Sequence, residues 1–113
     1  ADEYTQWAQF QFRTFAHTAH YYYLSGDPAA GQIVEDFRTW MKGQDGWSTE
    51  PLSLTLPYTM TPDGELYELG YSPGNLGLAA QGLIYMAARE NDPTLQADAE
   101  LVLDALKTHQ NLF

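Results

Sequence analysis

The sequence predicts a mainly α-helical fold: two antiparallel αα-hairpins with a small β-hairpin inserted between them. Three observations predict it. Asp27-Pro28 and Asp92-Pro93 stand 65 positions apart, each between two stretches of helical spacing. Asp accepts a first-turn backbone N–H through its carboxylate, and Pro is pre-shaped for the first helical position, where it loses no hydrogen bond. The residues downstream correspond as well. Phe37, Trp40 and Met41 lie as far beyond the first Asp as Val102, Ala105 and Leu106 lie beyond the second. Between the two units the apolar period changes from helical to two. The predicted layout is one helical domain over residues 1–113, with hairpins at 2–43 and 72–110 and the insertion at 47–71.

The first helix is expected to begin near Asp2 and Glu3, acids that suit the positive end of a helix dipole, and to run to about Leu24, where Gly26 ends it. It carries two apolar stripes. Trp7, Phe10, Thr14, His17, Tyr21 and Leu24 form one; Phe12, Phe15, Ala19 and Tyr22 form the other. A face that wide predicts burial on more than one side or contact with another chain, so self-association through this helix is expected. The second helix, about 28 to 42, is amphipathic: Ile33, Val34, Phe37, Trp40 and Met41 against Gln32, Glu35, Asp36, Arg38 and Thr39. It reads as an outer helix packed on the first.

In the insertion Leu52, Leu54, Leu56, Tyr58 and Met60 alternate with Ser53, Thr55, Pro57 and Thr59, the period of a strand. Pro57 donates no N–H, so the strand must be an edge or bend there. Thr61-Pro62-Asp63-Gly64 is a turn signal, and Glu65 to Leu69 returns as a second strand. Ser72-Pro73 opens a third helix rich in small residues, up to about Arg89. The fourth, about 93 to 109, sets Leu95, Ala99, Val102, Leu103 and Leu106 against Asp and Glu. Helices one and three should form the more buried layer, with two and four outside.

Composition narrows the function. The chain has 113 residues, 44% of them apolar, with 3 Trp, 8 Tyr and 5 Phe, which is globular rather than disordered. A net charge of −10, from 5 basic and 15 acidic residues, argues against nucleic acid and against an anionic membrane surface as partners. Without Cys there is no disulfide framework and no thiolate chemistry. No apolar run approaches the roughly 18 residues of a membrane span. The opening Ala1-Asp2-Glu3-Tyr4 has neither the basic nor the apolar region of a signal peptide, and the absence of an initiating Met fits a processed protein or a cut-out domain.

The run Tyr22-Tyr23-Leu24-Ser25-Gly26-Asp27-Pro28, followed by an amphipathic helix ending in Trp40, resembles the hairpins of the six-hairpin (α/α) toroid superfamily. So does Asn75-Leu76-Gly77-Leu78-Ala79-Ala80-Gln81-Gly82-Leu83, followed by Asn91-Asp92-Pro93 and a polar helix. That superfamily includes glycoside hydrolases, polysaccharide lyases and sugar epimerases. The resemblance covers most of the chain outside the insertion, and its motifs are structural ones. Only two hairpins are present. It therefore implies either a fragment of a larger bacterial carbohydrate-active protein or a four-helix domain that uses the same hairpin without closing a ring.

A glycosidase needs two carboxyl groups, one as acid and one as base or nucleophile. Asp45, Glu50, Asp63, Glu65 and Glu68 lie in or beside the insertion, where toroid enzymes build their sites. Glu68, between Tyr67 and Leu69 and close to the third helix, is the leading catalytic candidate, with Glu50 or Asp45 as its partner. The competing reading, which we prefer for so acidic a chain, makes Asp63 a turn residue and the others solvent-facing charges. Trp47, Tyr58, Tyr67 and Tyr71 are candidate glycan-stacking residues; otherwise they pack the insertion onto the helices with their polar tips in water. His17 and His20 are three apart, but no Cys or nearby acid completes a ligand set, so neither a metal nor a cofactor is expected. The ranking places a binding or assembly module, without complete catalytic machinery, ahead of a hydrolase or lyase using the 45–71 carboxylates. The carbohydrate reading carries with it a periplasmic or extracellular location.

Overall fold

A computed structural model describes residues 6–60, 66–70 and 73–110, with side chains over 11–56 and 74–108. Four helices dominate: α1 (Ala8–Ser25), α2 (Pro28–Lys42), α3 (Pro73–Glu90) and α4 (Pro93–Gln110). The most extensive helix–helix interface joins α1 to α3; α4 packs on α3, α2 packs on α1, and α2 scarcely reaches α3. The mainly helical fold and its inner pair flanked by an outer pair are as the hydrophobic spacing predicts.

Both hairpins bend by the same device. Gly26 has φ +69° and Asn91 has φ +53°, the left-handed region that favours Gly and tolerates Asn. Their N–H groups donate to the Tyr22 and Ala87 carbonyls, each at 2.8 Å. The next residue then caps the following helix: Asp27 Oδ1 accepts the Ala29 N–H at 2.9 Å, and Asp92 Oδ1 accepts the Thr94 N–H at 2.8 Å. The helices entering the two bends, α1 and α3, each have 18 residues. Their first and last residues are 65 apart at both ends, the spacing of the two Asp-Pro pairs.

The core runs through both hairpins. Phe12, Phe15, Ala16 and Ala19 of α1 and Val34 and Met41 of α2 are buried with Leu76, Ala79, Leu83 and Met86 of α3 and Leu95, Val102 and Ala105 of α4. Phe37 holds the aromatic part together, edge-on to Phe12 at 5.2 Å and stacked on Phe15 at 4.7 Å. At Gly82 α3 lies tight against the Phe15 ring of α1, since a Cβ there would stand 2.6 Å from Phe15 Cδ2.

A three-stranded antiparallel sheet, in the order β1-β2-β3, is built from β1 (Gln6–Trp7), β2 (Leu56–Met60) and β3 (Leu66–Gly70). β1 pairs Gln6 with Met60 and Trp7 with Thr59. The first helix therefore begins at Ala8, not near Asp2 and Glu3, because strand pairing claims the two residues before it; Asp2 and Glu3 lie outside the described residues. β2 is consequently the central strand. Pro57 is compatible with that position because β1 does not extend to it, and the β2–β3 register shifts between Pro57 and Thr59. The strand also starts later than alternation suggests. Pro51–Ser53 is a 3-10 turn, leaving Leu52 55% exposed, while Leu54 and Leu56 close the core. The turn at 61–64 lies outside the described residues.

Of the two alternatives for the wide face of α1, burial within this chain does not hold: among the described side chains Thr14, His17, Tyr21 and Leu24 of one stripe are exposed, Leu24 to 67%, which leaves contact with another chain. Two further expectations are corrected. On α2, Ile33 is 56% exposed, whereas Arg38 turns inward. On α4, Asp98 does not face solvent with the other acids but is buried toward α2. In each case the cause is the position of the neighbouring hairpin, which covers one side of each helix pair.

The glycines of α3 should separate by substitution. Gly82→Ala forces a methyl into the Phe15 ring and should destabilise by about 1–3 kcal/mol. At Gly77 a Cβ meets nothing within 4 Å among the described residues. Gly77→Ala should therefore stabilise by about 0.5–1 kcal/mol through helix propensity. Urea unfolding midpoints of the two variants check both signs.

Candidate functional site

The end of α2 and the segment after it place the first candidate residues. Gly43 closes α2 with its N–H on the Thr39 and Trp40 carbonyls, each at 3.1 Å, and Gln44 Nε2 donates to the Trp40 carbonyl at 2.9 Å. The Trp47 N–H donates to the Gln44 carbonyl at 3.1 Å, and the Thr55 N–H to the Gly46 carbonyl at 2.9 Å, which ties the loop shut. Asp45 and Glu50 are exposed on this loop; Glu50 stands at the start of the 3-10 turn, its N–H on Ser48 Oγ at 3.0 Å. Trp47 is half-buried and packs on the core, with Lys42 Nζ 5.9 Å from its ring centroid. Lys42, hydrogen-bonded to Asp98, thus lies over one face of the ring at the outer range of a cation–π contact.

Tyr58 lies in β2, and Tyr67 and Glu68 lie in β3, Glu68 opposite Thr59. Tyr71, Asp63 and Glu65 fall outside the described residues. The sheet and the 43–55 loop thus gather the candidates into one segment between the hairpins, touching the helices through β2 and the 3-10 turn. His17 is exposed, and His20 stacks on Tyr85 at 4.6 Å with the rings 14° from parallel.

Two charged clusters lie elsewhere. Between α2 and α4, Asp98 Oδ2 accepts from Arg38 Nε and from Lys42 Nζ, each at 3.0 Å, and Arg38 Nη1 reaches Glu35 at 2.8 Å. Burial works against the Arg38 charge, yet Asp98 and Glu35 together outweigh it and hold the guanidinium above its usual range. Helical spacing could have revealed this cluster. Arg38 follows buried Val34 by four positions, and Asp98 lies three after buried Leu95 and four before buried Val102.

The second cluster lines a hollow of about 410 Å³ beside the first Asp-Pro bend, bordered by Tyr22, Gly26, Gly31, Glu35 and Glu90. Glu90 is exposed overall, but loss of water around its carboxyl, then the nearby Glu35 and Asp92 charges, raise its pKa, with Arg38 opposing. Two more hollows lie along the helix pairs. One of about 310 Å³ runs between α1 and α2, beside Thr14, Thr18, Ile33 and Phe37. The other, about 390 Å³, runs between α3 and α4, beside Ile84, Ala87, Ala88 and Leu103. None of the three is lined by Asp45, Trp47 or Glu50. Among the described residues no group of three or more His, Asp or Glu could hold a metal ion, and no helix is long and apolar enough to cross a membrane.

Among curated proteins, the chain is similar to Exoglucanase-2 of Thermoclostridium stercorarium, with 30% identity over 116 residues. The similarity takes in 88% of this chain but 13% of that protein, so the chain spans a small part of its relative's length. No family model matches the sequence, and no solved structure matches it.

Two predictions follow from the clusters. Asp98→Ala strands the partly buried Arg38 and should cost roughly 2–3 kcal/mol of stability, read by urea unfolding. Glu90 has a raised pKa in the folded state, so the fold binds its proton more tightly than the unfolded chain does. Its contribution therefore falls as pH rises from the ordinary carboxylate range through that raised value. Glu90→Gln should melt higher than the parent at neutral pH, and the difference should vanish below about pH 4, where both states are protonated.

Proposed function

We propose that the chain is a helical-hairpin segment of a larger bacterial carbohydrate-active protein, serving glycan binding or assembly and lacking complete catalytic machinery of its own. The match to part of an exoglucanase carries this reading. Two other features support it: the hairpins resemble those of a superfamily rich in carbohydrate-active enzymes, and the bend recurs with the same backbone geometry. On this reading the chain forms one helical unit, and its parent works in the periplasm or outside the cell, where polymeric glycans are met.

The glycan belongs at the insertion and the adjoining start of α3. Aromatic residues, carboxylates and the free N–H groups of a helix N-terminus come together in that part of the sequence. Trp47, Tyr58, Tyr67 and Tyr71 supply the stacking, and Glu68, Glu50 and Asp45 supply acceptors for sugar hydroxyls. Hydrolysis by those three carboxylates would need a pocket that excludes water. Asp45 and Glu50 instead stand exposed on the 43–55 loop, lining none of the three hollows, which favours binding over chemistry.

NMR shift mapping with neutral and acidic oligosaccharides tests the proposal. Shifts confined to residues 47–77, with the outer faces of α2 and α4 silent, are expected with at least one glycan. No shift in 47–77 with any glycan of the panel would overturn it.

A further inference from the structure

The 65-residue repeat relates the joint between the hairpins to the two faces left open. At the joint, hairpin 2 presents Gly82 to the Phe15 ring, Arg89 to Gly26 and the Tyr23 carbonyl, and Asp98 to Arg38. Their equivalents one repeat earlier are His17, Leu24 and Ile33, all exposed, Leu24 to 67% and Ile33 to 56%. In the other direction, hairpin 1 presents Tyr23, Gly26 and Arg38. Their equivalents one repeat later are Ala88, Asn91 and Leu103, which line the hollow of about 390 Å³ between α3 and α4. Each open face thus carries repeat counterparts of three residues from one half of the joint.

We infer that a second copy of this chain docks head to tail, the His17–Leu24–Ile33 face of one copy entering the α3–α4 hollow of the next. The internal joint is heterologous, joining two different surfaces, and repeating the same step carries the arrangement onward. The chemistry at the repeated positions fits. Arg38 meets Asp98 inside the chain; between copies Leu103 meets Ile33, an apolar pair where the internal joint has an ion pair. Arg89 lies against Gly26 inside; between copies Leu24 lies against Asn91 and Ala88. Not every joint residue carries over: Phe15 maps to the buried Ala80, Lys42, the second cation on Asp98, maps to the exposed Lys107, and Glu100 also lines the hollow. Copies carrying −10 each repel one another, so the association should strengthen as salt screens them. The inference rests on the repeat and stands independently of glycan binding.

Sedimentation velocity over a concentration series at elevated salt tests it, using the whole chain and two variants on exposed helix positions, Ile33→Arg and Ala88→Arg. Circular dichroism shows whether each retains its helices. The parent should exceed monomer mass as concentration rises, and each variant alone should stay monomeric, because every head-to-tail contact needs both faces. An equimolar mixture of the variants retains one intact contact and should recover a dimer but nothing larger. A parent that stays monomeric throughout overturns the inference and leaves the faces to other hairpins. So does a variant that still associates alone, or a mixture that recovers nothing, since either marks a different interface.

Discussion

Gly26 and Asn91, at φ +69° and +53°, begin two-residue connections that reverse the chain, and the arrangement of the helices depends on that reversal. A left-handed residue stops one helix while its own N–H satisfies a carbonyl of the last turn. The following Asp supplies a side-chain oxygen to the first turn of the next helix, and Pro fixes that turn without sacrificing a donor. So short a connection leaves the second helix little choice but to return along the first. The first bend is further braced by Ser25 Oγ, which donates to the Tyr21 carbonyl at 2.8 Å and accepts from the Asp27 N–H at 3.1 Å.

Once the hairpins exist, their mutual register is set by contacts of two kinds. Gly82 lets the Phe15 ring settle against the α3 backbone, a fit that tolerates little sliding in a densely packed interior. Asp98, drawing both Arg38 and Lys42, adds a penalty for error: displacement along the helix would leave a largely buried carboxylate without its cations. The apolar contact supplies the driving force, and the charged one discriminates between nearly equivalent apolar registers.

The sequence made the bends and layers legible because capping and period are local signals. Asp-Pro, Gly26 and the i, i+4, i+7 apolar positions need no knowledge of the rest of the fold. What depended on distant partners was not legible. Gln6 and Trp7 read as helix until Thr59 and Met60, far along the chain, offer them a strand edge. The Tyr21–Leu24 stripe reads as core or as a contact with another chain, because aromatic spacing reveals an apolar face without saying what covers it. Asp98 and Arg38 were assigned to solvent by their charge, although their helical positions among Leu95, Val102 and Val34 pointed inward. At the candidate site, sequence proximity gathered Asp45, Trp47 and Glu50 correctly into one loop. It could not show that Lys42 would stand over the Trp47 ring.

The topology separates the two demands a protein of this kind has to meet. Both Asp-Pro bends fall at one end of the helical layer. The start of α1, the end of α2, the insertion and the start of α3 fall at the other, because the helices alternate in direction. Substitutions at the bend end disturb caps and left-handed residues, so that end is constrained by folding. The 43–55 loop at the opposite end is anchored by the Thr55 N–H on the Gly46 carbonyl and by Leu54 and Leu56, leaving its outer residues free to vary in chemistry. On the proposed reading, a ligand at the insertion and a copy docked on the helix sides use different surfaces, so the unit can be joined to others without closing the proposed glycan-binding end.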